Sequence, residues 1–341
     1  MRHAVFAAAV CALILAGGCQ SDPGAGDGPD DVLIGQYSLT WGPVAVAPAQ
    51  EATQCMWLRL SNDTEIKVHQ LHNVLSTSSH HLIVYKDDMD ATEQPTPVPC
   101  QPFTGALNTT GKIFPVMITQ KHDDELTLPH AVAYTLAPHQ MIKLEMHYLN
   151  TTDAQTQATA TVDFFAAEPA GIRDEANILF IGTPDLTLAP NAMTEVHEFF
   201  NPSRASLDLA TAKFFAITGH THRLGVDVEV GIADTPTSAV TSVYAPAAFL
   251  WSEPETTTHK PEFQVPIAGG FDFTCRYYNT TSGTVRFGES ANNEMCFFWA
   301  YYYPSQGSHL CVHTTYLGGL DLCCPDAGAA LCDLLNTGRL P

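Results

Sequence analysis

The chain has 341 residues, of which 45% are apolar, and its 36 acidic and 15 basic side chains give a formal charge of −21. That length exceeds one ordinary small domain and fits two of about 150 residues each, with apolar material for two full cores. So strong an acidic excess offers nothing to hold a nucleic-acid phosphate backbone, which excludes that partner class and leaves the charge as a solvated surface.

The first predicted element is a targeting segment. Arg2 and His3 precede the apolar run AVFAAAVCALILA, which is too short to cross a bilayer as a mature helix. The run ends in LAGGCQSD, which resembles a bacterial lipoprotein signal with Cys19 as the lipidated residue, although Ala16 stands where leucine is usual. Residues 1–18 are expected to be removed, and 19–31, rich in Gly, Pro and Asp, to act as a flexible tether. The mature protein is therefore expected to be exported and lipid-anchored at a bacterial membrane surface, periplasmic or on the cell surface, with plain secretion as the alternative. Eight cysteines remain beyond Cys11 and Cys19: Cys55, Cys100, Cys275, Cys296, Cys311, Cys323, Cys324 and Cys332. An even count in an exported chain reads as four disulfides. The sequons at Asn62, Asn108, Asn150 and Asn279 read as chance in a bacterial lipoprotein.

From Val32 onward no segment keeps a helical period. Short alternating or β-branched runs recur instead, among them CMWLRL, HLIVYK, MIKLEMHYLN, ATATVDFF, ANILFIG, KFFAITGHTH, GVDVEVGI and CFFWAYYY, separated by turn clusters. Many short strands at this spacing predict β-sandwiches. The stretch AAEPAGIRDEAN marks a domain boundary, and a second falls near Cys311, where the chain turns Gly-rich and cysteine-dense. The expected division is 32–168, 171–310 and a cysteine-rich tail at 311–341. No internal sequence repeat is evident.

Side chains alternate faces along a strand, so parity tells which residues share a surface. His220 and His222 in GHTHRLG lie two apart and face the same way, a spacing at which two imidazoles can chelate one ion. In MIKLEMHYLN, His147 falls with Lys143 and Glu145 on the more polar face, expected to look into a cleft. His80 and His81 are consecutive and can serve one ion only at a strand start, a bulge or a strong twist. Met295 offers a thioether, a poor ligand for zinc, calcium or magnesium and a good one for cuprous copper; beside FFWAYYY it could equally fill a core. The six residues suggest two metal sites of different softness, the softer one for copper.

Five motifs in order carry a resemblance: CMWLRL around Cys55, HHLIVY, LEMHYLN, GHTHRLG, and EMC followed by YYYP. Together they resemble the copper type II, ascorbate-dependent monooxygenases, the group of peptidylglycine alpha-hydroxylating and dopamine beta-monooxygenases, from roughly Val32 to Cys311. The resemblance implies two tandem antiparallel jelly-roll β-sandwich domains, all-β, followed by a short disulfide-rich C-terminal tail. It implies an electron-transfer copper on His80, His81 and His147, and an oxygen-activating copper on His220, His222 and Met295 that carries the catalysis. The two coppers would face each other across a solvent-filled cleft. Disulfides Cys55–Cys100 and Cys275–Cys296 follow from the same resemblance. The implied reaction hydroxylates a C–H bond of a small-molecule substrate with O2 and electrons from ascorbate or another one-electron donor.

Departures from the family bear on substrate and tail. Peptidylglycine enzymes carry an arginine two residues before the first histidine of His-x-His; this chain has Thr218. Polar residues after the Met-Cys pair are replaced by Phe297 and Trp299, and a regular strand would put Met295, Phe297, Trp299 and Tyr301 on one face. With Thr218 they make an aromatic, uncharged candidate pocket for a small aromatic or apolar substrate, unless the rings only fill a core. A second-domain partner for Cys311 is missing, so the tail closes as Cys311–Cys323 with Cys324–Cys332, or as Cys311–Cys324 with Cys323–Cys332. A monomer is expected, with a non-catalytic copper-binding or electron-carrying lipoprotein as the alternative function.

Overall fold

In the computed structural model, which describes residues 31–89, 92–100, 112–288, 290, 292–315, 318–328 and 332, the chain folds into two β-sandwiches. The signal segment, Cys19, the tether up to residue 30 and residues 333–341 lie outside the described residues. Among the described residues no helix is long and apolar enough to cross a membrane.

The first sandwich contains β1 (Leu33–Val46), β2 (Glu51–Arg59), β3 (Ile66–Leu75), β4 (Ser79–Asp87), β5 (Gln94–Pro99), β6 (Ile113–Thr119), β7 (Asp123–Thr127), β8 (Val132–Leu136), β9 (Met141–Leu149) and β10 (Thr156–Ala167). One sheet runs β1-β10-β3-β8, with β7 also on β3, and the other runs β5-β2-β9-β4-β6. A short turn at Pro169–Gly171 and β11 (Asp174–Glu175), parallel to β8, lead out of it.

The second sandwich follows with β12 (Asn177–Thr183), β13 (Thr187–Leu188), β14 (Ala192–Phe200), β15 (Lys213–His220), β16 (Gly225–Ala233), β17 (Thr241–Tyr244), β18 (Thr256–Phe263), β19 (Gly270–Asn279), β20 (Val285–Arg286), β21 (Cys296–Tyr303), β22 (His309–Thr314) and β23 (Leu320–Cys324). Its sheets run β18-β15-β21-β12-β22-β23 and β14-β19-β16-β17, with β13 and β20 paired apart. Residues 311–324, expected to open a separate tail, instead belong to the first of these sheets, because β22 lies parallel to β12 and carries β23 beside it.

Setting the extra strands aside, the sheets read β1-β10-β3-β8 with β2-β9-β4-β6, and β12-β21-β15-β18 with β14-β19-β16-β17. These orders are the same when each domain is counted from its own first strand, and both are jelly rolls. A duplicated turn marks the equivalence. β9 ends in Tyr148-Leu149-Asn150-Thr151-Thr152 and β19 in Tyr277-Tyr278-Asn279-Thr280-Thr281. In each, a buried asparagine donates its amide to surrounding backbone carbonyls while its carbonyl accepts from the threonine two residues on. Those amides are therefore committed to the fold.

The alternation in β21 explains how the two sandwiches join. Phe298, Ala300 and Tyr302 enter the second domain's own core, while Phe297, Trp299, Tyr301 and Tyr303 pack in a cluster continuous with the first domain's core. The sheet is therefore apolar on both faces, which is why β21 reads as a continuous aromatic run rather than an alternating one. Across the joint the Tyr301 hydroxyl lies 3.0 Å from the backbone N of Ile118, which donates to it. Separating the domains would expose four large rings, at about 1.5–3 kcal/mol each. All eight cysteines among the described residues are paired, as Cys55–Cys100, Cys275–Cys296, Cys311–Cys323 and Cys324–Cys332, so the first of the two tail connectivities is the one formed.

Candidate metal centres

The first cluster is made by two adjacent strands and one irregularity. His81 on β4 is the register partner of His147 on β9, while Ser79 pairs with Tyr148, so His80 is the extra residue of a bulge. The bulge is what lets consecutive histidines turn to one side. His80, His81 and His147 present ring nitrogens that all lie within 4.8 Å of one another. The Nδ1 atoms of His80 and His81 meet at 3.3 Å. His147 Nε2 sits 3.0 Å from a Glu51 carboxylate oxygen, which can only accept, so that nitrogen carries the proton and Nδ1 is left for a ligand. Next to His147 on the same face, Glu145 and Lys143 are buried and paired at 3.0 Å. The polar face thus looks into packed structure rather than an open cleft.

The second cluster lies where β15 ends. His220 is the cross-strand partner of Phe297, and its ring lies 5.8 Å from that of Trp299. His222 follows in the turn, with its ring 5.3 Å from that of His220. That turn is tied to the Met295 segment by Glu294, which is fully buried. Its two carboxylate oxygens accept from the backbone N–H of His222 at 2.9 Å and of Leu224 at 2.7 Å. Burial raises the Glu294 carboxyl to about 7 against these stabilising hydrogen bonds. Met295 is 7% exposed, and its carbonyl accepts from the Tyr277 hydroxyl at 2.6 Å. Gly225 closes the turn, since a Cβ there would run into Thr221.

Both imidazoles of this pair face acceptors that fix their tautomer. His222 Nδ1 lies 3.0 Å from the Asn293 carbonyl and His220 Nδ1 lies 3.0 Å from Gln120 Oε1. Carbonyl oxygens only accept, so both Nδ1 atoms carry the proton and both Nε2 atoms are left for a ligand. All five histidines are held neutral. Burial pushes His80 down to about 3 and His222 to about 4, and neighbouring imidazoles add to the effect; His81 and His220 fall well below the usual range for the same reasons. His147 is lowered by burial, against which the Glu51 carboxylate acts. Five neutral imidazoles, two of them at a turn that Glu294 ties to the Met295 segment, are a donor set that suits copper.

The seam between the clusters is bridged rather than open. Gln120 of the first domain reaches His220, and Trp251 of the second stacks on His80 with ring centres 5.5 Å apart. Of the candidate pocket residues, Thr218 shares a hydrogen bond with Thr256 at 2.8 Å. Phe297, Trp299 and Tyr301 do share one face, and that face is packed against the first domain. Glu51, Gln120, Trp251, Asn293 and Glu294 were not among the residues singled out from sequence. Only Asn293 and Glu294, next to Met295 in NNEMC, carried any local signal.

Residues 174–317 match the family model of the copper type II ascorbate-dependent monooxygenase, C-terminal domain. The match covers the second sandwich from β12 to β22, including His220, His222 and Met295, and it agrees with the resemblance drawn from the motifs. No curated protein matches the chain. Among solved structures, the chain is similar to the major capsid protein P2 from bacteriophage PM2, at 10% identity over 80% of this chain and 99% of that one, with a TM-score of 0.36. It is also similar to the cowpea mosaic virus top component, at 8% identity over 81% and 90%, with a TM-score of 0.28. Overlap this loose carries no argument about function.

Proposed function

We propose that the protein is a dicopper monooxygenase that hydroxylates a C–H bond of a small, aromatic or apolar substrate, using O2 and electrons from ascorbate or a similar one-electron donor. The observation that carries this reading is the convergence of His80, His81 and His147 opposite a second pair, His220 and His222, whose turn Glu294 ties to the segment of Met295. His80, His81 and His147 would hold the electron-transfer copper, and His220, His222 and Met295 the oxygen-activating one. When bound, the metals supply one-electron exchange with the donor and dioxygen chemistry at the softer site.

The chain's own residues do the rest. Glu51, Asn293 and Gln120 hold the imidazole protons away from the ligand nitrogens, so metal binding requires no proton release from His147, His220 or His222. Glu294 keeps His222 and Met295 in one rigid unit. Thr218 is uncharged and engaged with Thr256, so nothing there receives a substrate carboxylate. Phe297 and Trp299, next to His220, supply an apolar wall. Export, a lipid anchor on Cys19, attachment to a bacterial membrane surface and a monomeric state belong to the same proposal.

A second reading, a copper-binding or electron-carrying lipoprotein without turnover, is favoured by the commitment of Phe297, Trp299 and Tyr301 to domain packing. A screen of small aromatic compounds for ascorbate-dependent hydroxylation, read by mass spectrometry, separates the two. A hydroxylated product that disappears in Met295→Ala supports the enzyme. Two tightly bound coppers without oxygen consumption would support the carrier, and efficient amidation of glycine-extended peptides would contradict the proposed substrate class.

A further inference from the structure

The two second-domain imidazoles differ in where their orienting partner comes from. His222 donates to the Asn293 carbonyl, within its own domain and next to the segment that carries Met295. His220 donates to Gln120, a residue of the other domain. Gln120 follows β6, where Thr119 is the register partner of Leu82 on β4. One step further, Gln120 stands beside His81, which is itself opposite His147. The glutamine therefore continues the row of the first cluster while its amide oxygen reaches into the second.

Gln120 is only 6% exposed, and its amide nitrogen is buried with no hydrogen-bond partner among the described residues. Turning the amide over would place an N–H against His220 Nδ1 and demand an acceptor there. The Nε2 atom would then have to carry the proton and would be lost as a ligand. Only the orientation with Oε1 toward His220 leaves Nε2 free. Trp251, stacked on His80 from the opposite domain, makes the dependence reciprocal. Each cluster has one imidazole braced by the other domain.

Resting on the reading of His220 and His222 as metal ligands, we infer that Gln120 is a positioning residue that makes the second-domain site complete only when the first domain is docked on it. Its amide oxygen locks His220 in the Nδ1–H form and fixes the direction of Nε2. A second domain that has moved away keeps a correctly oriented His222 but a His220 free to rotate and to adopt the Nε2–H tautomer. Affinity of the softer site is thereby coupled to the interdomain joint, with no change to any ligand.

The test uses the full-length protein and Gln120→Leu, with Gln120→Asn as a shorter amide that cannot reach and Gln120→Glu as a variant that still accepts. In the metal-free wild type, 15N spectra of the histidine rings should show His220 as Nδ1–H. In Gln120→Leu and Gln120→Asn that signal should move toward the Nε2–H form, and Gln120→Glu should restore it. Copper titration should show the second-domain affinity of Gln120→Leu reduced about 10–100-fold, the range for lost outer partners of a metal ligand, with the three-histidine site unchanged. Wild-type ring signals and wild-type affinities in both Gln120→Leu and Gln120→Asn would overturn the inference. If the wild type takes up no copper in its second domain, the metal reading itself fails, and the ring spectra alone decide whether Gln120 positions His220.

Discussion

Glu294 and Gly182 show how much of the site depends on residues that touch no ligand. Glu294 satisfies two buried backbone N–H groups in the turn that carries His222. In Glu294→Leu both donors are stranded, at about 1–3 kcal/mol each. The melting temperature should fall, and in whatever folded protein remains the second-domain copper should weaken while the three-histidine site is retained. Equal weakening of both sites would show that Glu294 is not specific to the turn. Gly182 faces Phe297 across β12 and β21, where a Cβ would meet the Phe297 ring and the Cys296 carbonyl. Gly182→Ala should cost about 1–3 kcal/mol through overpacking, measured by urea denaturation, and should disturb the strand next to His220. At this scale the clustered histidines were legible because side chains that can bind metal announce themselves by type and spacing. His80 needed a bulge, which the adjacency of two histidines already implied. Gln120 was not legible, since its meaning lies in a partner a hundred residues away in another domain.

At the scale of strands, the sequence pattern predicted elements well and faces less well. β21 has no polar face because both of its faces are buried, and that is the same pattern a pocket wall would give. Tertiary docking, not strand parity, decides between them. The paired Asn-Thr-Thr turns are the visible trace of a repeat that the rest of the sequence has lost. Cys275–Cys296 joins β19 to the first residue of β21 and so links the two sheets of the second sandwich beside Met295. With its cysteines 21 positions apart, removing it in a Cys275→Ala, Cys296→Ala variant should cost about 3 kcal/mol by chemical denaturation. Toward the β22-β23 edge of that sandwich, His313 on β22 is hydrogen-bonded to buried Asp321 on β23 at 2.7 Å and faces Glu198 on β14 at 3.5 Å. The Asp321 hydrogen bond raises the His313 pKa above 6.5, while burial raises that of Glu198. A raised folded-state value means that the His313 contribution is complete below pH 6.5 and is lost as pH climbs through the raised value. The stability difference between wild type and His313→Gln should therefore narrow with rising pH in that range. A difference that stays constant would remove His313 from the pH response.

For the whole molecule, two jelly rolls of the same strand order dock through different sheets, β5-β2-β9-β4-β6 of the first against β18-β15-β21-β12-β22-β23 of the second. Their histidine clusters meet at that joint, each braced by a residue of the other domain. The expected fold was correct down to the jelly-roll topology: strand count and turn spacing pointed to β-sandwiches, and the resemblance carried by the motifs implied the jelly roll. The openness of the cleft was not legible, since it depends on how two finished surfaces fit. If this joint holds two coppers that work together on dioxygen, as we propose, copper stoichiometry and ascorbate-driven oxygen uptake measured on one preparation, beside His81→Ala and His222→Ala, must agree. Two coppers per chain and uptake are expected for the wild type, and loss of uptake in both variants, each of which retains the other copper. Two coppers without uptake, or uptake that survives in either variant, would contradict the proposal.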